Sequence, residues 1–260
     1  MQTVLVGIDA GSYSAKAVLL ADGEVLARAT AVAGLRSIAE AAEGAFAQVL
    51  SIAGVERSVV TRVVATGSGA GNVAFADETA LEVICIARGT THHLHTVGTV
   101  LDVGAEHCVA VGCSNGQALA VARTDRCAAG AGILLKVVAE VLEVSLDDMG
   151  PMALGGGETA EISFRCAVFA ESEIISLVHS GISKESIVRG VYQGLAARLR
   201  PLVRRSGGRD EVAVIGGGAE DVGLVAALEE RLGKSVCVPP HPATVSALGA
   251  ALVAGDRVDH

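Results

Sequence analysis

Two stretches of this chain repeat one another in register. The first reads Val4-Leu5-Val6-Gly7-Ile8-Asp9, a buried-strand run closing on an aspartate. The turn Ala10-Gly11-Ser12-Tyr13-Ser14 follows, then a strand Ala15 to Leu20, the hairpin dipeptide Asp22-Gly23 and a third strand Glu24 to Thr30. The second stretch reads Gly98-Thr99-Val100-Leu101-Asp102, then Val103-Gly104, a strand Cys108 to Cys113, Asn115-Gly116 and a strand Gln117 to Arg123. Each copy places its Asx-Gly glycine 14 positions after its aspartate, and the copies are offset by 93 (102 minus 9). One Asp-x-Gly carries no weight, and Asx-Gly alone marks only a tight turn. Two copies with their hairpins in register imply a duplicated unit, hence an α/β chain of two like-folded lobes facing a cleft.

The remaining pattern fills out the lobes. Ile38 to Ala53 reads as a helix, Val59 to Ala65 as a strand ending in Thr66-Gly67-Ser68-Gly69-Ala70-Gly71, and Thr79 to Arg88 as a helix. After the second hairpin, Ile133 to Val144 carries Leu134, Val137, Val138, Val141 and Leu142 at helical spacing. Asp147 to Glu158 reads as a loop rich in Gly, Met and Pro, and Lys184 to Val203 as a long helix that Pro201 kinks or ends. A strand Glu211 to Ile215 runs into Gly216-Gly217-Gly218-Ala219, followed by a helix Val222 to Leu232, a short strand Ser235 to Val238 and a last helix Val245 to Leu252. The lobes divide as 1–96 and 97–260, with the last helix free to pack back on the first lobe.

Composition narrows the function classes. Of 260 residues 51% are hydrophobic, yet aromatics are 2%, so the core is built from Ala, Val, Leu and Ile. A net charge of −9 argues against a nucleic-acid groove, which needs clustered Lys and Arg. The densest basic stretch, Arg198, Arg200, Arg204 and Arg205, reads as a solvated helix face. No uncharged apolar run approaches the ~18 residues of a membrane span. The N-terminus carries no export-signal pattern. Six cysteines without such a signal point to reduced thiols or ligands and a cytoplasmic setting.

Each Asp-x-Gly turn puts a carboxylate, Asp9 or Asp102, beside the backbone N–H groups of a tight loop. Such a loop can cradle phosphates while the aspartates hold Mg²⁺ through water. Gly11, Ser12, Tyr13, Ser14 and Lys16 form the first loop, and Gly104, Ala105 and Glu106 the second. Gly216, Gly217 and Gly218 let backbone approach a flat ligand such as adenine or ribose. Cys127 and Cys166 differ from Cys85, Cys108, Cys113 and Cys237, which lie within apolar strand or helix patterns as buried thiols. Both head helix starts, where the dipole favours an anionic sulfur. A [4Fe–4S] cluster takes four thiolates, so two such cysteines per chain require a second subunit to complete the cage. His92, His93 and His95 read as exposed loop histidines.

The two phosphate loops and the glycine-rich loop resemble the superfamily of acetate and sugar kinases, heat-shock chaperone ATPases and actin. Asp125-Arg126-Cys127-Ala128-Ala129-Gly130-Ala131-Gly132 and Cys166-Ala167-Val168-Phe169-Ala170-Glu171-Ser172-Glu173 are more specific. They look like the ATPase family of 2-hydroxyacyl-CoA dehydratase activators and benzoyl-CoA reductase ATPase subunits, a similarity that runs along the entire chain. The family usually has Asp-x-Gly-Gly-Gln-Asp-x-Lys where this chain has Asp102-Val103-Gly104-Ala105-Glu106-His107-Cys108-Val109. The Gly-Ala-Glu form looks more like the smaller, delta-type subunit of benzoyl-CoA reductase. The resemblance implies duplicated RNase H-like (actin-like) lobes around an ATP/ADP and Mg²⁺ cleft. It implies a [4Fe–4S] cluster shared with a second identical or homologous subunit through Cys127 and Cys166. It implies electrons taken from a ferredoxin- or flavodoxin-like donor and passed to an iron–sulfur reductase or dehydratase component. Benzoyl-CoA reductase type is the first expectation, and homodimeric dehydratase activator the second. A sugar or acid kinase and a non-hydrolysing nucleotide-binding regulatory subunit are the expectations of another class.

Overall fold

A computed structural model describes residues 3–34, 36–124, 131–162, 167–207 and 211–256. Its first sheet has the order β3-β2-β1-β4-β5, from β1 (Val4–Ala10), β2 (Ser14–Ala21), β3 (Glu24–Val32), β4 (Arg62–Thr66) and β5 (Glu78–Thr79). The second has the order β8-β7-β6-β9, from β6 (Val97–Val103), β7 (Cys108–Ser114), β8 (Gln117–Arg123) and β9 (Glu211–Ile215). In both, an antiparallel meander is followed by a strand parallel to its first member: β4 beside β1, β9 beside β6. Asp22-Gly23 and Asn115-Gly116 turn the equivalent hairpins with positive φ at all four residues, as a type I′ turn demands.

Strand patterns follow burial. β1 is covered on both faces and reads as an apolar run interrupted only by Asp9 near its end, whereas the outer strand β3 alternates. Val4, Val6, Ile8 and Ala10 pack with α1 (Ile38–Ala53). Ser37 caps α1 by accepting the Glu40 N–H, while Glu40 accepts the Ser37 N–H at 2.7 Å; this capping box fixes where the helix starts. The other face, with Leu5 and Val18, packs against α8 (Val245–Asp256) and Cys85 of α2 (Glu82–His93). The second sheet meets α2 through Val97, Val100, Val109 and Val111. Its far face, with Leu101 and Val103, is covered by α3 (Ala131–Leu142), α4 (Leu146–Leu154), α6 (Lys184–Arg205) and α7 (Val222–Leu232), while α5 (Ala167–His179) adds Ile174. The layers therefore run α1, sheet, α8 with α2, sheet, outer helices.

The middle layer exists because three glycines let backbones touch. A Cβ on Gly7 would lie 2.0 Å from the Ala247 carbonyl oxygen, one on Gly89 2.0 Å from that of Val245, and one on Gly249 1.9 Å from that of Cys85. The last helix thus packs on the first lobe's sheet while following the second lobe in sequence.

Several expectations are corrected. Residues 146–154 form α4, not a loop: Ser145 caps it by accepting the Asp148 N–H, and burial of Met149 holds it despite Pro151. α6 continues through Pro201 to Arg205. His92 and His93 occupy the last turn of α2, His93 half-buried, and α2 begins at Glu82 because Thr79 pairs in β5. Residues 235–238 supply only a bridge between Ala213 and Cys237, and Cys237 is half-buried. No described helix is long and apolar enough to cross a membrane.

Gly249→Val should cost roughly 3 kcal/mol or more, because the added atoms meet helix backbone that cannot yield. Gly71→Ala, with nothing within 4 Å of the new Cβ, should be near neutral. Urea denaturation of the two variants compares them directly, and equal midpoints would contradict the middle-layer account.

Candidate functional site

Asp9 is the next-to-last residue of β1 and Asp102 that of β6, so the duplicated strands bring both carboxylates to one cleft of about 640 Å³. The turn after each aspartate is built alike: the Gly11 N–H donates to Ser14 O and the Gly104 N–H to His107 O, both at 3.1 Å. Gly11, Ser12, Tyr13, Ser14 and Lys16 line the cleft from one side, and Gly104 and Ala105 from the other. Glu106 does not line it and is exposed. Gly216, Gly217 and Gly218 complete the wall.

The structure also extends the duplication beyond the hairpins. Asp9 pairs with Thr66 on β4 and Asp102 with Ile215 on β9, so Gly67 and Gly216 follow equivalent strand ends. Both have positive φ, and a Cβ on either would strike its aspartate's Oδ1, at 2.4 Å and 2.3 Å respectively. Only glycine lets these strand ends pass so close to the carboxylates.

Electrostatically the two aspartates differ. Lys16 Nζ lies 3.5 Å from Asp9 Oδ2. Burial raises the Asp9 carboxyl, and Lys16 opposes the rise. Asp102 has no such cation; burial, then the charges of Asp9 and Glu82, push it up to about 7. The Ser246 hydroxyl, in the first turn of α8, donates to Asp102 Oδ2 at 3.4 Å. Glu82, at the start of α2, is bonded to His107 Nε2 at 3.2 Å and lies 3.3 Å from Arg123 Nη2. Burial alone would raise Glu82, but His107 and Arg123 together hold it below its ordinary value. The Glu82 hydrogen bond raises His107. Among the described residues no group of three or more His, Cys, Asp or Glu is arranged to hold a metal ion.

Glu82, His107, Arg123 and Ser246 were not legible as site residues. His107 sits inside the second turn, and the offset of 93 equates it with Ser14, but nothing local ties it to Glu82, 25 positions away. Cys127 and Cys166 lie outside the described residues. The helices that follow them, α3 and α5, are described and pack on each other. The start of α3 is joined to the second turn by backbone: the Gly132 N–H donates to Gly104 O at 3.3 Å and the Ile133 N–H to Ala105 O at 3.1 Å. Lys136 Nζ of the same helix lies 5.6 Å from the Tyr13 ring centroid, a cation–π contact reaching the first turn.

With divalent cations chelated, the folded state binds the Asp102 proton more tightly than the unfolded chain does. The Asp102 contribution to stability should therefore fall as pH rises from about 4 to about 7 and then level. Asp102→Asn should flatten that slope and stabilise the protein at pH 8 by at most about 4 kcal/mol. Urea unfolding at pH 5 and pH 8 measures it; identical pH dependence in both proteins would refute the account.

The chain matches the BadF/BadG/BcrA/BcrD ATPase family over residues 6–254. It is 37% identical over 249 residues to the activator of lactoyl-CoA dehydratase of Anaerotignum propionicum, covering 95% of this chain and 96% of that protein. Against a benzoyl-CoA reductase subunit of Thauera aromatica the identity is 33% over 261 residues, covering 96% and 92%. The solved activator of the 2-hydroxyisocaproyl-CoA dehydratase from Clostridium difficile, with bound ADPNP, superposes with a TM-score of 0.93 at 32% identity, covering 100% of this chain and 96% of that one. The first expectation, a benzoyl-CoA reductase type, is thus less well supported than the second, because the greater identity is to a dehydratase activator. With its two sheets, its duplicated turns and its actin-like architecture, this chain belongs to the BadF/BadG/BcrA/BcrD ATPase family.

Proposed function

We propose that the chain is the ATP-hydrolysing activator of a 2-hydroxyacyl-CoA dehydratase, using nucleotide turnover to drive electrons into that partner. The observation that carries this reading is the direct backbone link between the second turn and α3. A ligand that shifts Gly104 and Ala105 must shift the helix whose first N–H groups they accept. The nucleotide can bias that shift only by its different affinity for the two arrangements.

In this reading the N–H groups of Ser12 and Tyr13 and of Ala105 take the phosphates, the Gly11 and Gly104 N–H groups closing the turns, and Gly216 to Gly218 approach the nucleoside. Asp9, balanced by Lys16, faces the hydrated Mg²⁺. Asp102, whose proton affinity is near neutral, accepts a proton from the attacking water, the role for which a group titrating near the working pH is best suited. Cys127 and Cys166 would hold half of a [4Fe–4S] cluster, two copies of the chain supplying four thiolates. Bound there, the cluster supplies a one-electron carrier whose potential depends on hydrogen bonding and exposure. A donor of ferredoxin or flavodoxin type would reload it.

The benzoyl-CoA reductase reading is kept as a second one, on the Gly104-Ala105-Glu106 form of the second turn and the 33% identity to the Thauera aromatica protein. The two differ in which acceptor component takes the electrons.

Protein purified without oxygen should contain about four irons per dimer and hydrolyse Mg-ATP. Cys127→Ala or Cys166→Ala should abolish the iron–sulfur absorbance, and Cys113→Ala should keep it. Full iron content in both of the first two variants would end the cluster assignment. Asp9→Asn should depress hydrolysis at least tenfold while melting normally; unaltered turnover would remove Asp9 from the mechanism. Electron delivery to a dehydratase component should stop when ATP is withheld. Delivery at full rate without nucleotide would leave an electron carrier uncoupled from the cleft.

A further inference from the structure

The duplicated hairpins differ at one cross-strand pair. On β1 and β2, Asp9 faces Lys16; at the same register on β6 and β7, Asp102 faces Val109. The sequence offset of 93 gives the same equation, 109 minus 16. Lys16 brings an ammonium to the cleft wall, and Val109 lines that cleft without a charge. Anionic phosphates entering there would meet, on the second lobe's side, the carboxylates of Asp102 and Glu82, a repulsion that something must offset.

His107 lies two residues before Val109 on the same wall. Its side chain is 34% exposed, so it is open to a ligand while anchored through Nε2 on Glu82 at 3.2 Å. Arg123 of β8 steadies the same carboxylate from its other oxygen. The charged groups around the ring are Glu82 from α2, Asp102 from β6, Asp9 from β1 and Arg123 from β8. Glu82, bonded directly to the ring, favours the imidazolium; Asp102 adds to this only as it ionises near pH 7, and Asp9 is balanced by Lys16. In that form both ring nitrogens are donors, and the bond to Glu82 uses only Nε2.

We propose that His107, held by Glu82, is the phosphate-binding cation of the second lobe, filling the role that Lys16 fills in the first. The proposal rests on nucleotide binding in the cleft and adds a residue to that reading. It makes affinity depend on His107 protonation. Affinity should fall as pH rises through a His107 pKa lying above the ordinary 6.5, because the neutral ring loses its charge there.

Calorimetric titration of the full chain with Mg-ATP and Mg-ADP between pH 6 and pH 9 tests this. His107→Ala should lose about tenfold in affinity at the acid end, the usual worth of one charge-assisted hydrogen bond, and this difference from wild type should vanish at pH 9. His107→Lys should keep the affinity to higher pH than wild type, since its charge persists. Glu82→Gln should move the decline to lower pH by removing the anion that stabilises the imidazolium. Wild-type binding with an unchanged affinity and pH profile in His107→Ala would overturn the proposal. The Glu82–His107 pair would then be a structural tie, visible only as a lowered melting temperature. If the wild type binds neither nucleotide, the functional reading above falls first, and this one with it.

Discussion

The close crossing of α2 and α8 between the two sheets is the constraint on which the rest of the structure depends. Gly89 meets the Val245 carbonyl and Gly249 meets the Cys85 carbonyl, so each helix offers a glycine to the other's backbone. Gly7 accepts α8 on the sheet in the same manner. Protein interiors transmit displacement because they are packed without slack, and a layer set at backbone contact has less slack than most. A chain with only 2% aromatic residues suits such a layer, since small side chains permit short separations between elements. Glu82 and Ser246 lie in the first turns of these two helices, so the crossing also sets the cleft's second rank of polar groups.

Duplication supplies two aspartates, and the divergence of the copies gives them different chemistry. Lys16 compensates Asp9 directly, whereas Val109 leaves Asp102 to carry its desolvation, opposed only at a distance by the charges of Lys16 and His107. The asymmetry separates a carboxylate with a cation at hand from one that exchanges protons near neutrality. Perturbed groups of this kind collect where a cleft excludes water and gathers like charges.

Coupling out of the cleft needs few parts. Two backbone hydrogen bonds and one cation–π contact tie α3 to the turns that follow Asp102 and Asp9. Backbone acceptors are stiffer handles than long side chains, which can change rotamer. Lys136 over Tyr13 adds the first turn, so α3 touches both turns.

By itself the sequence determined the duplicated hairpins, their turns and the two aspartates, because these are local: strand alternation, positive-φ dipeptides and tight glycine loops are written within a few residues. The helix Ile38–Ala53 was equally legible from its periodicity, and the Ser37–Glu40 capping box that fixes its start is local too. What only the tertiary structure decided is non-local. Burial of Met149 turns a Gly- and Pro-bearing stretch into α4. Pairing across the sheet equates Gly67 with Gly216, whose separation in sequence does not match the hairpin offset. The Glu82–His107–Arg123 network joins three elements that no sequence period connects, because its partners meet only after α2 is drawn in between the sheets. Local sequence sets which turns can bind an anion. Close packing of distant segments sets the charge each turn then carries.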